Sequence, residues 1–198
     1  MSTNGKLPFQ PPGLNQFMDA CWVEGLFTSD EIAPILEMYQ GNEKSEAELS
    51  DEGLNNPELR KSKVSLLQPD NPAHSAFIHK LAQLAIQINH QRYHFDLSGI
   101  YEPLQIAEYT EGDFFDWHSD FGNGQASTRK LSLSVQLSEP DTYTGGDLQF
   151  KVNTNQINAP RSKGSVIIFP SFIQHRVTPV LTGSRKSLVA WITGPHFK

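Results

Sequence analysis

The apolar positions of this chain change their period near residue 93. Upstream they fall at helical spacing. Ile32, Ile35, Leu36 and Tyr39 share one face, and Thr28-Ser29-Asp30-Glu31 in front of them reads as a capping box. In such a box the first and last side chains satisfy each other's free backbone N–H groups. Pro34 has no N–H, so the first turn of this helix is expected to be irregular. A second stripe, Phe77, Leu81, Leu84, Ala85 and Ile88, begins after Asn71-Pro72. Proline suits a first helical position, and the stripe reads as core rather than as a cofactor surface. Between the two helices, residues 41–63 are acidic, polar and without period. They read as a mobile loop of the kind that borders a substrate entrance.

After Tyr93 the period is two. The cleanest strand is 130–138, with Leu131, Leu133, Val135 and Leu137 on one face and Ser132, Ser134 and Gln136 on the other. Residues 104–109, 146–152, 165–169, 174–181 and 187–193 read as further strands. Turn signals at 143–146, 163–164 and 183–184 separate them. Helices first and many short strands afterwards predict a mainly β protein with flanking α. The expected core is an antiparallel double-stranded β-helix, or jelly roll, supported by N-terminal helices. In such a fold the Ser/Gln face of 130–138 points into a wet, ligand-holding barrel, and its Leu/Val face packs on the helices. One domain spanning 1–198 is expected, with 1–100 as helical support and mobile loop and 101–198 as the core barrel.

Composition adds limits. The chain is 37% hydrophobic and 19% charged, which fits a soluble globular protein. A formal charge of −6 and an isoelectric point near 5.6 disfavour nucleic acid as a partner, because phosphate binding needs a basic surface. No run approaches the roughly 18 apolar residues of a membrane span. Residues 1–13 are polar and Pro-rich, without the apolar core of a signal peptide. Cys21 is the single cysteine, so no internal disulfide can form, and a reducing, cytoplasmic location is expected.

Two stretches carry candidate chemistry: Tyr109 to Asp120, which ends in His118-Ser119-Asp120, and His175 to Arg185. A His-x-Asp pair with a distant second histidine can present two imidazoles and one carboxylate to one face of Fe(II), leaving the opposite positions open. The chain holds two such pairs. His94-Phe95-Asp96 lies just past the second helix, with no strand leading into it. His118-Ser119-Asp120 follows a strand and a Gly-Asp turn, so an extended backbone can place both side chains together. The other histidines, His74, His79, His90 and His196, have no partner pattern. Arg185 and Lys186 are strand neighbours and must face opposite ways, with Arg185 in phase with Trp191.

The pattern Tyr-x-x-Gly-Asp-x-Phe-x-x-His-x-Asp from Tyr109 to Asp120, with His175, Thr178-Pro179-Val180 and Gly183-Ser184-Arg185 downstream, resembles the Fe(II)/2-oxoglutarate-dependent dioxygenases. The branch it resembles is the prolyl 4-hydroxylase-like, PKHD-type-like one, over roughly 104–194. Gly145-Gly146-Asp147-Leu148 is similar to a Gly-Gly-Glu-Leu turn of that family and reads as scaffold. Arg60-Lys61-Ser62 is weakly similar to a segment before its first core strand. The resemblance implies Fe(II) held by His118, Asp120 and His175. It implies 2-oxoglutarate held by Arg185 and Tyr109, with Trp191 lining the same interior, O2 as the third reactant and ascorbate as a reductant. It also implies hydroxylation of an unactivated C–H, that of a prolyl residue in a peptide or protein, with release of succinate and CO2. Asp120 fits hydroxylation, because halogenating relatives lack this carboxylate. Two alternatives stay open: a free amino acid or small metabolite as substrate, and a non-catalytic binding module on the same barrel.

Overall fold

A computed structural model describes residues 19–46, 56–152 and 155–197. In chain order they form β1 (Cys21–Val23), α1 (Ser29–Gly41), β2 (Ser45–Glu46), β3 (Arg60–Lys61), β4 (Lys63–Leu67) and α2 (Ser75–Ile88). There follow β5 (Leu104–Tyr109), β6 (Phe114–His118), β7 (Arg129–Gln136), β8 (Tyr143–Gly145), β9 (Leu148–Val152) and β10 (Asn155–Asn158). The last four are β11 (Val166–Pro170), β12 (His175–Val177), β13 (Val180–Gly183) and β14 (Arg185–Thr193).

The capping box at the start of α1 is formed. Glu31 N–H donates to Thr28 Oγ1 at 3.3 Å, and Thr28 N–H donates to Glu31 Oε2 at 2.8 Å. The irregular first turn expected from Pro34 is not found; α1 runs unbroken through it. Pro34, in the second turn, forgoes the bond to the Asp30 carbonyl without interrupting the helix. Ahead of α2, Asn71 Oδ1 accepts from Ala73 N–H at 2.9 Å, and Pro72–His74 make a 3₁₀ turn before the α-helix begins. Beyond α2 the chain widens into a π-type turn, Asn89–Tyr93, which His94 ends in the left-handed conformation (φ 56°). Tyr93 is buried there and donates its hydroxyl to the carbonyls of Asp19 and Ile168.

Among the described residues every strand pairing is antiparallel, in a large sheet ordered β1-β11-β7-β14-β5-β4-β2, a smaller one ordered β10-β9-β12-β6-β3, and a two-stranded sheet of β13 and β8. Alternation along the large sheet sorts its side chains into two layers. Leu131, Leu133, Val135, Ile106, Leu188 and Ile192 pack with Ile32, Ile35, Tyr39, Phe77 and Leu81 of the helices. Ala107, Tyr109, Ile167 and Phe169 turn the other way and meet Leu148, Phe150 and Val177 of the small sheet. Each apolar side chain buried this fully contributes about 1.5–3 kcal/mol. The jelly roll supported by helices is thus the observed architecture, and the space between its two sheets holds the site.

Two readings of the sequence need correction. Residues 41–63 are not simply a loop: β2 pairs with β4 at one end, and β3 pairs with β6 at the other. Residues 47–55 lie outside the described residues. Residues 174–181 are not one strand either. β12 belongs to the small sheet, and β13 pairs with β8 in the two-stranded one. Pro179, which cannot donate to a ladder, stands between them.

Candidate active site

His118 ends β6 and His175 begins β12, and the two are direct cross-strand partners. Their ring centroids lie 4.1 Å apart. Asp120 follows β6 by two residues. Its N–H donates to Ser171 O at 2.9 Å, which docks it on the turn between β11 and β12. The carboxylate then lies between the rings, Oδ1 3.8 Å from His118 Nε2 and Oδ2 3.7 Å from His175 Nε2. One donor atom from each of the three residues falls within 4.8 Å of the others, and this is the single such cluster among the described residues. His94 and Asp96, the competing pair, are both exposed and belong to no cluster. The left-handed backbone at His94 takes the chain away from a strand geometry there.

The triad fits a divalent metal. His118 Nδ1 lies 2.7 Å from Asp116 O, and His175 Nδ1 lies 2.9 Å from Ile173 O. Each carbonyl fixes Nδ1 as the donor and leaves Nε2, on the Asp120 side, with its lone pair free. Burial, then the neighbouring His175, pushes the His118 pKa down to about 3, and the nearby Arg60 charge adds to this. The ring is therefore neutral near pH 7, the form a metal ligand requires. Burial opposes ionisation of Asp120, but the two imidazoles and the Ser132 hydroxyl outweigh it, so its carboxyl stays below the ordinary range. Phe115 stacks on the His118 ring at 3.4 Å, and Phe169 meets His175 edge-on at 4.7 Å. Together they limit both rings to one orientation.

A cavity of about 450 Å³ opens over the triad, and Tyr109, Arg185 and Trp191 line it too. All six residues singled out from the sequence thus meet in one place. Arg185 and Tyr109 are cross-strand partners on β14 and β5. Arg185 is 1% exposed, and its guanidinium donates to Gln136 Oε1 at 3.0 Å and Ser187 Oγ at 3.2 Å. Among the described residues no carboxylate pairs with it. Lys186, one residue on, faces the helices and reaches Glu108 Oε1 at 2.6 Å. Gly146, at φ +64°, lets Arg185 lie flat: a Cβ there would stand 3.2 Å from Arg185 Cδ. Three buried polar atoms of this lining have no hydrogen-bond partner, Asp120 Oδ2, Arg185 Nε and Trp191 Nε1. A buried polar atom left unpaired costs about 1–3 kcal/mol, so three in one cavity mark a place built for a polar, anionic ligand beside a cation.

Arg129 and Glu102 were not legible as site residues in the sequence, whereas Ser132 lies on the barrel-facing side that its alternation predicts. Arg129 forms a buried ion pair with Glu102, lies 3.9 Å over the Trp191 ring and donates to Asp120 O at 3.1 Å. It braces both the indole and the ligand carboxylate's backbone. The alternation of 130–138 would put Arg129 with the helix-facing leucines. A register shift at Ile192/Thr193 brings it to the barrel side instead.

Residues 104–193 match the model of the 2OG-Fe(II) oxygenase superfamily. The match covers the barrel half of the chain, including its His-Asp-His cluster. Within it the similarity is to the PKHD-type hydroxylases. A PKHD-type hydroxylase of Shewanella sp. (strain ANA-3) is 37% identical over 98 residues, 46% of this chain and 42% of the relative. The chain thus spans less than half the length of the curated relatives it matches. In fold it is similar to a Pseudomonas putida prolyl-4-hydroxylase (TM-score 0.71, 20% identity, covering 89% of this chain and 92% of that one). It is also similar to a Trichoplax adhaerens prolyl hydroxylase in complex with a hypoxia inducible factor oxygen degradation domain peptide fragment (TM-score 0.74, 18% identity, 88% of this chain and 83% of that one).

Proposed function

We propose that this chain is a single-domain Fe(II)- and 2-oxoglutarate-dependent dioxygenase that hydroxylates a prolyl residue of a peptide or protein, releasing succinate and CO2. The observation that carries the reading is the meeting, in one cavity, of the His-Asp-His cluster with a buried guanidinium that has no carboxylate partner among the described residues.

In this reading His118, Asp120 and His175 hold Fe(II), which when bound supplies activation of O2 coupled to decarboxylation of the co-substrate. The other work falls to the chain. Asp116 and Ile173 carbonyls hold the imidazole tautomers. Arg185, opposite Tyr109, takes the far carboxylate of 2-oxoglutarate with donors already oriented by Gln136 and Ser187. Leu148, Phe169 and Val177 keep water from the lining, which strengthens each of these charge contacts. A prolyl substrate is supported by the PKHD-type relatives and by the neighbour solved with a peptide. Among the described residues no helix is long and apolar enough to cross a membrane; a reducing cytoplasm would suit both Cys21 and Fe(II), with ascorbate as reductant.

The test is incubation with Fe(II), 2-oxoglutarate and separate pools of proline-containing peptides and small metabolites, followed by succinate assay and mass spectrometry. The expected result is iron-dependent succinate together with peptides that gain one oxygen atom. Oxygen gained only by metabolites would move the substrate to the small-molecule class. Absence of iron-dependent succinate with every pool would leave a binding module.

A further inference from the structure

Arg60 is the charged residue of the cavity lining that this reading leaves without a role. It sits on the two-residue strand β3, directly opposite Phe115 of β6, and is only 8% exposed. Its Nε donates to Ser62 Oγ at 3.0 Å. Its guanidinium carbon lies 4.7 Å over the Phe115 ring, and that ring is itself stacked on His118 at 3.4 Å. These two contacts in series keep the guanidinium within roughly 8 Å of the metal-site imidazole. Stacking occupies the face of the group and leaves its edge donors free. Among the described residues the terminal nitrogens have no hydrogen-bond or ion-pair partner.

Two other cations near the site already have partners. Lys61 pairs with Asp113 at 3.2 Å, and Arg129 with Glu102. Fe(II), doubly charged 2-oxoglutarate, Asp120 and Arg185 together come to zero. Arg60 is then one buried positive charge over, and a buried charge is stable only beside an opposite one. The donor set is a planar fork suited to two parallel bonds with a carboxylate. The Arg60 backbone N–H donates to the carbonyl of Asn56 at 2.9 Å, and Asn56 is an exposed residue of the same lining, so this part of the cavity meets solvent.

Building on the dioxygenase reading, we propose that Arg60 is the anchor for a substrate carboxylate, so that the hydroxylated C–H belongs to a molecule with a negative group close to it. That carboxylate has two sources: the free α-carboxylate of a small amino acid derivative, or an acidic side chain next to the target residue in a peptide. Both present the same group to the same fork.

Binding without turnover tests this. The full chain is loaded anaerobically with Fe(II) and 2-oxoglutarate, and each loading step is followed by calorimetry. It is then titrated with N-acetyl-L-proline against its amide, and with acetyl-Ala-Pro-Asp-amide against acetyl-Ala-Pro-Asn-amide. At least one carboxylate should bind about 10- to 100-fold more tightly than its neutral counterpart, and the pair that shows this identifies the source. Arg60→Gln should abolish the preference, and Arg60→Lys should keep part of it. Both variants should take up iron and 2-oxoglutarate as the unaltered chain does. No preference in either pair, no binding of either carboxylate, or a preference unchanged in Arg60→Gln overturns the assignment. So does a loss of 2-oxoglutarate binding in Arg60→Gln, which would make Arg60 a co-substrate residue. Failure of the unaltered chain to bind iron or 2-oxoglutarate would instead remove the dioxygenase reading beneath it.

Discussion

At the scale of single residues, the sharpest contrast is between Arg185 and Lys186. Period-two alternation alone separates them, and the structure puts one in the cavity and the other against Tyr39 and Glu108 on the helix side. Arg185→Ala should weaken 2-oxoglutarate binding on the order of 10- to 100-fold with iron binding kept, since a hydrogen bond to a charged group contributes roughly 1.5–3 kcal/mol. Arg185→Lys should fall between, keeping charge without the fork. Lys186→Ala should leave the titration unchanged but lower stability through Glu108. That glutamate accepts from Lys186, Tyr39 and Ser184. Burial opposes its ionisation, but these donors outweigh it, led by Lys186, and bring its pKa down to about 2 from an ordinary 4.5. A lowered folded-state pKa gives stability that is complete above the unfolded value and is lost as pH falls through the folded one. Glu108→Gln should therefore cost about 1–3 kcal/mol near neutral pH after allowance for partial exposure. The gap from the unaltered chain should close between pH 4.5 and about 2. Thermal melts of both chains across that range check it; a gap that persists at the acid end would assign the loss to packing.

At the scale of elements, strands with strong alternation were legible and short ones were not. β5 and β7 show in the sequence because leucines, valines and serines alternate over enough residues to set a phase. β3 and β4 were hidden in a charged stretch. Two residues carry no period, and β4 reads Lys-Val-Ser-Leu-Leu, with two adjacent leucines. Their places are set by partners far along the chain, β6 for β3 and β5 for β4, and register of that kind is not a local property. Arg60, marked in the sequence only as part of a weakly similar segment, gains its place in the cavity from the pairing to Phe115, and Arg129 from the register shift beside it. The Gly145-Gly146 turn, read from sequence as scaffold, has a direct bearing on the site. Gly146→Ala would force a side chain into left-handed backbone and place Cβ 3.0 Å from Val180 Cγ2 and 3.2 Å from Arg185 Cδ. The expected cost is about 1–2 kcal/mol in stability, with weaker 2-oxoglutarate binding as Arg185 shifts. Denaturant melts and a co-substrate titration measure the two effects. A stable variant that binds normally would show that Arg185 has more room than its contacts suggest.

At the scale of the whole molecule, the ligands of the proposed centre come from different layers. His118 and His175 lie on the small sheet, Arg185 and Tyr109 on the large one, and Asp120 on the connection between β6 and β7. Metal and co-substrate would thus tie the two sheets together across the cavity. Because they bind the folded chain, saturation at about 100 times the dissociation constant should add roughly 2.7 kcal/mol to stability, reversed by chelation. A melting point indifferent to Fe(II) and 2-oxoglutarate would speak against a centre placed between the sheets. The layered plan itself was legible, since helical stripes followed by alternating strands leave few ways to bury both apolar faces. The most direct measurement of the central claim is anaerobic equilibrium dialysis of Fe(II) against the unaltered chain and four variants: His118→Ala, Asp120→Ala, His175→Ala and His94→Ala. The account predicts stoichiometric iron in the unaltered chain and in His94→Ala, and loss of most iron in each of the other three. Iron retained by the three triad variants, or lost on replacing His94, would contradict it.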